Sequence, residues 1–483
     1  LEEVSSTGAD VSLAARLTLT SLGEVQIMER IVIVGAGLVG SLLSVYLARK
    51  GYKVDIYDRN PDMRQAYNGS GRAINLTLCD RGLKALDEVG IGETIRKISA
   101  PAYGRFVHSL NGELAYQPYG NNDEAIYSIL RSDLSKALLD FAETHDNVDY
   151  HFNEKCTGID LSPLSLEFKN SETQLTTTCR ADRVFGADGA FSAIRTLMQR
   201  MHRFNYSQEF LDQGYKELRV PGDADASWMS EKRVLHMWPR GRYMLLGFPN
   251  MDGSFTCSLH MPFEGEPSFD SIRTREDVLD FFEETFPDVV KHIPNLAEDF
   301  NAHQPNPMIT IRCSPWTFQG KVALIGDAAH VLYPYYGQGA NSGFEDCLVL
   351  MQCMEKYQDN WNLIFSEYER LRKPNMDAIS DMCGEHYVEI RDSLADPKFL
   401  LRKTIERRVN QLFPDRYTPL YSMIAFSCMP YADALRIDRE QSRTIDELMK
   451  VEEIESKLNT DAAYELIERV LAPANGMSAS VKH

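Results

Sequence analysis

Apolar residues in this chain recur at two different periods, and the switches between them mark its elements. Ile31 to Val34 form a short β-branched run, followed by Gly35-Ala36-Gly37-Leu38-Val39-Gly40. Leu42, Leu43, Tyr46 and Leu47 then return at helical spacing until Gly51. Val54, Ile56 and Tyr57 make a second strand that ends at Asp58. The pattern predicts a βαβ unit of about 30 residues, with an acid about 20 residues beyond the glycines. Residues 233–263 break into three strand-like pieces with turn signals at Pro239-Arg240-Gly241 and Asp252-Gly253, which predicts an antiparallel meander. Upstream, "RVFGADGAFSAIR" (183–195) reads as a strand, then Asp188-Gly189, then a helix ending near Arg195. From Phe344 the chain is mainly helical. Leu348, Leu350, Met351 and Met354 open that stretch, and Ala463, Leu466, Ile467, Val470 and Leu471 share a later face; both stripes read as packing.

Each part of the first unit has a mechanical role. Gly35 turns tightly, Gly37 lets backbone approach a pyrophosphate, and Gly40 lets the helix sit on the strand. Asp58 accepts hydrogen bonds from a ribose diol. An acid there, rather than a base, points to an unphosphorylated ribose, hence FAD or NAD. A second glycine loop occupies 326–347, "GDAAHVLYPYYGQGANSGFEDC", between an apolar run (Val322 to Ile325) and the helix that begins near Phe344. It has no lysine or arginine, so a bare phosphate is a poor ligand for it.

Composition narrows the class. The 483 residues are 43% hydrophobic and 25% charged, the make-up of an ordinary globular protein with ample core. A net charge of −19 argues against a broad nucleic-acid surface, which needs clustered Lys and Arg. Nine cysteines lie scattered without CxxC spacing, so neither a structural metal site nor a disulfide framework is expected, and a reduced, cytoplasmic setting is. No run of about 18 apolar residues occurs, so no membrane anchor is expected. Residues 1–27 carry no secretory pattern and read as an extension outside the fold.

Three motifs stand in order: the GxGxxG of 35–40, Asp188-Gly189, and Gly326-Asp327 with its glycine loop. This order resembles the single-component flavoprotein aromatic hydroxylases. The segments "GLVGSLL", "GRAINLTLCDRG", "RFVHSL", "PYG", "FGADGAFSAIR", "HMWPR", "PNMDGSFTCSLHMPF", "LIGDAAH", "GQGANSGFEDC" and "PLYSM" resemble the kynurenine 3-monooxygenase family within that class, from about residue 29 to about residue 430. The resemblance implies an α/β fold: a Rossmann-like FAD-binding domain, an antiparallel-sheet substrate domain and a helical C-terminal region. The boundaries expected are 28–105, 125–205 and 305–375 for the first, 106–124 and 206–304 for the second, and 376–483 for the third.

It also implies site residues. Non-covalent FAD would meet Gly35, Gly37, Val39, Gly40, Asp58, Thr77, Arg131, Cys156, Asp327, Ala340 and Asn341. Substrate would meet Arg105, Tyr119, Tyr421 and, where the family carries an asparagine, His386. The glycine loop at 333–341 would then lie along the pyrimidine edge of the flavin, with its N–H groups facing charge on the reduced ring. The implied reaction is hydroxylation of L-kynurenine or a close analogue by a flavin C4a-hydroperoxide, with NADPH or NADH and O₂ as co-substrates. The cofactor carries the hard step, so no catalytic side chain and no metal is expected. His330 reads as a supporting hydrogen-bonding histidine rather than a base, and Cys347 and Cys353 as buried, inert thiols.

Tyr335-Tyr336 stand where the family writes two phenylalanines, and Ala340 where it writes methionine. These changes, with His386, leave a modified aromatic amino acid open as substrate. A flavoprotein sensor without turnover and a flavin-dependent halogenase are the other classes. The halogenase's WxWxIP stretch is absent around Trp228, Trp238, Trp316 and Trp361.

Overall fold

A computed structural model describes residues 17–19, 25–65, 74–120, 124–200, 203–222, 234–393, 397–458, 460 and 462–471. Its organising feature is a six-stranded sheet in the spatial order 148–151, 53–57, 30–34, 183–186, 322–324, 317–318. The first five strands are parallel, in register Val148↔Val54, Ile31↔Val54, Arg183↔Ile31 and Val184↔Val322. Helices cover this sheet, which is why Ile31 to Val34 is apolar throughout and entirely buried.

The order matters for function. Strand 30–34 is followed in space by 53–57 on one side and 183–186 on the other, so the winding reverses there. A crevice therefore opens at the carboxyl ends of the strands. Val34, Gly186 and Leu324 end three adjacent strands, so the loops beginning at Gly35, Ala187 and Ile325 meet at one edge. Three motifs nearly 300 residues apart in sequence become neighbours for this reason alone.

A second sheet has eight strands, in the order 330–331, 306–314, 205–220, 255–262, 243–249, 234–240, 104–108, 114–118. The three pieces expected from 233–263 are all present, with turns through Gly241 and Gly253 at positive φ. One pair departs from the antiparallel expectation: Val234 to Met237 runs parallel to Gly104 to Val107, because the two strands arrive from distant parts of the chain. The sheet also takes in Gly104, Arg105 and Asn306–Ser314, across the boundaries expected at 105 and 305, since Asn306–Ser314 continues the register of 205–220. The boundary at 375 falls inside one long helix, Trp361–Ser393.

Side chains alternate across this sheet. Trp238, Leu245, Phe255, Cys257, Leu259 and Met261 enter a core shared with helices Arg275–Thr285 and Leu296–Ala302. Leu235, Met237, Met244, Leu246 and Phe248 take the opposite face, toward the crevice. The C-terminal helices hold their own core around Ile405, Val409, Ile445, Leu448 and Ile467. The expected stripe at 463–471 packs against it, with Ala463 and Ile467 buried and Leu466, Val470 and Leu471 half-buried. Among the described residues no helix is long and apolar enough to cross a membrane. Within residues 1–27, Leu17–Leu19 pairs antiparallel with Val25–Ile27, and the rest lies outside the described residues.

Candidate active site

Gly35 sits at φ +111°, and a Cβ there would lie 2.4 Å from the Ala187 carbonyl oxygen. A Cβ on Gly40 would lie 1.9 Å from the Gly35 oxygen, so the helix rests directly on the strand end. Gly37 is different. Nothing stands within 4 Å of its missing Cβ, and it begins the helix Leu38–Arg49 with no side-chain cap. Uncapped N–H groups facing open space are what a pyrophosphate requires. The Asp58 carboxylate accepts from the Ala36 N–H at 2.7 Å and from the Asn60 N–H at 2.8 Å. It ties the first loop to the second strand; with Asn60 Nδ2 also donating to its Oδ1 at 3.0 Å, about one lone-pair site, on Oδ2, is left for a ribose hydroxyl.

The second motif serves as a clasp. The Asp188 carboxylate accepts from the Ala193 N–H at 2.6 Å and the Ile194 N–H at 3.2 Å, capping the helix Ala193–Met198. Burial raises its pKa, and these donors partly offset that. From the same helix, Arg195 donates to the Ala190 carbonyl and, at 2.8 Å, to the Ala328 carbonyl. One guanidinium thus joins the second motif to the third. Sequence reading saw Arg195 only as a helix end, and no local signal gave it this partner.

At the third motif, Gly326 and Gly343 both press on Val39, whose methyl group would lie within 3 Å of a Cβ on either. Asp327, at the start of this loop, is exposed, yet the surrounding protein raises its pKa by desolvation, with Arg131 pulling the other way. Behind it lies a buried ionic network. Asp346 accepts from the Gly326 N–H at 3.0 Å, His330 Nε2 at 2.7 Å and Arg372 Nε at 2.6 Å. Burial alone would raise the Asp346 pKa, yet His330 and Arg372 hold it below its usual value. His330 is accordingly a supporting group, as expected from sequence. Glu345 extends the network to Arg372 and to Arg81.

Asn341 turns out to be a strut. Its Nδ2 donates to the Thr77 and Gly337 carbonyls at 2.8 and 2.9 Å, and its Oδ1 accepts from the Cys79 N–H at 3.0 Å. The amide is spent, so a cofactor could use only its backbone. Thr77 Oγ1 would lie 2.3 Å from a Cβ on Gly337, which fixes how closely the glycine loop sits on strand Asn75–Leu78. Ala340 is half-buried in the first turn of the helix Gly339–Tyr357, which has no side-chain cap. Arg131 opens the helix Arg131–Glu143, with its N–H bound to the Ile74 carbonyl at 2.8 Å. Cys156 is buried, its thiol pushed up to about 12 by burial, and it offers a cofactor no reactive sulfur. Cys347 and Cys353 are likewise buried.

The four expected substrate residues fall along one arc. Tyr119 and Tyr421 stack with ring centroids 5.3 Å apart, Tyr421 lies 6.5 Å from Tyr336, and Tyr336 lies 4.7 Å from His386. Arg105 stands at the Tyr119 end, where its charge opposes the rise in the Tyr119 and Tyr421 pKa values. Burial pushes the Tyr119 hydroxyl up to about 12, and those of Tyr336 and Tyr421 well above their usual value. All three rings nonetheless keep part of their surface open, so they line a recess rather than fill a core. The sheet face of Leu235, Met237, Leu246 and Phe248, with Tyr335, forms the apolar side.

Two further residues orient this arc. Gln117 Oε1 accepts from Arg105 Nε at 2.9 Å, directly across the hairpin. Asn111-Gly112 between them signals a hairpin, but a two-residue turn there would pair Arg105 with Pro118; the observed loop, 109–113, brings Gln117 opposite instead. Glu389 lies 3.3 Å from His386 Nδ1, one helical turn along.

Comparison with known proteins agrees with this geometry. Residues 28–379 match the model of the FAD binding domain family. The kynurenine 3-monooxygenase of Flavobacterium johnsoniae is 48% identical over 431 residues, 89% of this chain and 96% of that protein. That of Dictyostelium discoideum is 38% identical over 462 residues, 93% of this chain and 98% of that protein. Among solved structures, 2-methyl-3-hydroxypyridine-5-carboxylic acid oxygenase in its tetrameric form superposes with a TM-score of 0.61 at 20% identity, covering 77% of this chain and 94% of that one. P. aeruginosa PqsL in complex with 2-aminobenzoylacetate gives 0.62 at 17% identity, covering 76% and 97%. At such identities the structures speak for the fold alone. The relatives over nearly full length speak for more: the chain belongs to the kynurenine 3-monooxygenase family of FAD-dependent monooxygenases.

Proposed function

We propose that the chain hydroxylates the ring of L-kynurenine or a close analogue, giving 3-hydroxykynurenine or its analogue. One oxygen atom of O₂ enters a ring C–H bond and the other leaves as water, with two electrons supplied by NADPH or NADH. FAD, held by the glycine loops at 35–40 and 326–341, would supply the two-electron transfer to O₂ and the oxygen-atom transfer. The chain's own residues bind, orient and exclude water. Arg105, steadied by Gln117, faces the substrate carboxylate with its terminal nitrogens, a geometry suited to a two-pronged ion pair. Tyr119 and Tyr421, held neutral by burial, donate hydrogen bonds at the same end. The apolar face of Leu235, Met237, Leu246 and Phe248 takes the aromatic ring and keeps water from the reacting atoms. The uncapped N-terminus of helix Gly339–Tyr357 would favour negative charge on a cofactor bound against it.

The observation that carries this reading is the continuous arc from Arg105 through Tyr119, Tyr421 and Tyr336 to His386, set beside an apolar sheet face. It fits an amino-acid head and an aromatic body. His386, Tyr335 and Tyr336 add polar groups to that pocket and favour a ring-substituted kynurenine as a second candidate. NAD(P)H oxidation measured against a panel of kynurenine analogues, with the mass of each product, separates the candidates. Stimulated oxidation without any oxygenated product would instead support a sensor.

A further inference from the structure

We infer that Asp288 is a positioning residue for Arg105: from behind the eight-stranded sheet it fixes the end of the strand that carries that arginine. The inference rests on the reading above, since it concerns how the carboxylate end of the recess is held in place.

Arg105 stands on an edge hairpin with a short attachment. Strand Gly104–His108 pairs with Leu114–Pro118 on one side. On the other it joins the sheet through four residue pairs, from Gly104↔Val234 to Val107↔Met237. Side chains alternate along these strands. Arg105 shares the crevice face with its register partner Leu235, so Phe106, His108, His236 and Trp238 lie on the opposite face, beside Phe255.

A chain of hydrogen bonds runs through that buried face. Asp288 follows helix Arg275–Thr285, and 28% of its side chain is open. Its Oδ2 lies 2.9 Å from His108 Nδ1 and accepts from Trp238 Nε1 at 2.8 Å. Burial alone would raise the Asp288 pKa, yet those two contacts hold it below its usual value. The ionised carboxylate can only accept, so His108 Nδ1 carries a proton. His108 Nε2 lies 2.8 Å from His236 Nδ1. Burial pushes the His236 imidazole down to about 3, so that ring stays neutral. The His108 and Trp238 rings stack with centroids 4.1 Å apart, and all three rings are buried.

One acid therefore grips both strands of the parallel pair, Gly104–His108 through His108 and Val234–Arg240 through Trp238. Arg240 closes the bracket. Its Nη1 donates to the His108 carbonyl and its Nε to the Thr285 carbonyl, both at 2.8 Å. Without the bracket only the short ladder would set the twist of the edge strand, and Arg105, three residues from His108, would turn with it. A two-pronged pair with a carboxylate needs the guanidinium plane held in one orientation.

The test measures L-kynurenine binding to the FAD-loaded protein, with KM and kcat, in wild type, Asp288→Ala, Asp288→Asn, Arg105→Ala and the double variant Asp288→Ala/Arg105→Ala. Asp288→Ala should weaken binding and raise KM about tenfold while kcat stays within about threefold, the split that a misplaced binding contact produces. In the Arg105→Ala background the same change should alter kcat/KM by less than about twofold, because the group it positions is gone. Asp288→Asn should keep most of the wild-type affinity, since its amide oxygen still accepts from both donors. Equal losses from Asp288→Ala with and without Arg105 overturn the inference, as does unchanged affinity in Asp288→Ala. Equal losses in Asp288→Asn and Asp288→Ala overturn its hydrogen-bonded basis. Amide hydrogen exchange reads the bracket without substrate: Asp288→Ala should speed exchange at 104–108 and 114–118 and leave strand 30–34 unchanged. Unchanged exchange in the hairpin also overturns the inference. Should Asp288→Ala not fold, Arg240→Met removes the other half of the bracket and carries the same expectations. If wild type binds no kynurenine while the hairpin loosens as expected, it is the proposed function that fails instead.

Discussion

Gly37 and Gly40 stand three residues apart and do unlike work. A side chain at Gly37 meets open space, so Gly37→Val should fold normally and lose FAD by filling the approach to the pyrophosphate. A side chain at Gly40 meets the Gly35 backbone, so Gly40→Val should fail to fold. Circular dichroism and flavin content of the two purified variants check this. A Gly37→Val protein with full flavin content would contradict the cradle. Arg105 is the other residue whose removal reads simply. Arg105→Ala leaves the substrate carboxylate unpaired, a loss on the order of 3–5 kcal/mol in binding. Arg105→Lys should recover part of it, because an ammonium lacks the two-pronged contact. Titration of substrate onto the oxidised enzyme gives the numbers, and unchanged affinity in Arg105→Ala would refute its placement.

Elements, more than single residues, decide how far this protein could be read from sequence. The glycine loops were legible because backbone that must approach a ligand closely requires glycine, and spacing alone exposes it. Their meeting was not, since it depends on strand order, and nothing local in "FGADGAFSAIR" says that Gly186 lies beside both Val34 and Leu324. For the same reason nothing in the sequence showed that the Asp188 carboxylate caps the helix that follows it. Asn341 was placed correctly in the loop and given a contact, yet its amide is consumed in holding the loop to strand Asn75–Leu78. Asn341→Ala should therefore cost about 2–4 kcal/mol in unfolding free energy, from buried groups left unpaired, and weaken FAD binding as well. Denaturant unfolding of the apoprotein separates the two effects, and undiminished stability would contradict the strut. The eight-stranded sheet offers a pH test. Burial pushes the His260 imidazole down to about 4, below the roughly 6.5 of an unfolded histidine. The unfolded chain then binds the extra proton, so this contribution is complete above about pH 6.5 and fades as pH falls toward 4. The stability advantage of wild type over His260→Phe should shrink by up to about 3 kcal/mol between pH 7 and pH 4. A constant difference would show that His260 is not buried neutral.

At the scale of the whole molecule, two sheets and a helical region converge on one hollow. The parallel sheet supplies the cofactor loops, and the eight-stranded sheet supplies Arg105 and the apolar wall. The C-terminal helices supply His386 and Tyr421. The resemblance named residues from each part, but the polar arc they form exists only in the folded chain. Binding the amino-acid head at the Arg105 end would fix the ring beside the apolar face, so electron use and ring oxygenation should be tightly coupled. The decisive measurement is product analysis under isotope-labelled O₂, with the FAD-loaded protein, NADPH and L-kynurenine or its ring-substituted analogues. The expected result is a ring-hydroxylated product carrying one labelled oxygen atom, formed nearly one for one with NADPH oxidised, and lost in Arg105→Ala. NADPH consumption that yields only hydrogen peroxide with every analogue, the same in wild type and Arg105→Ala, would contradict it.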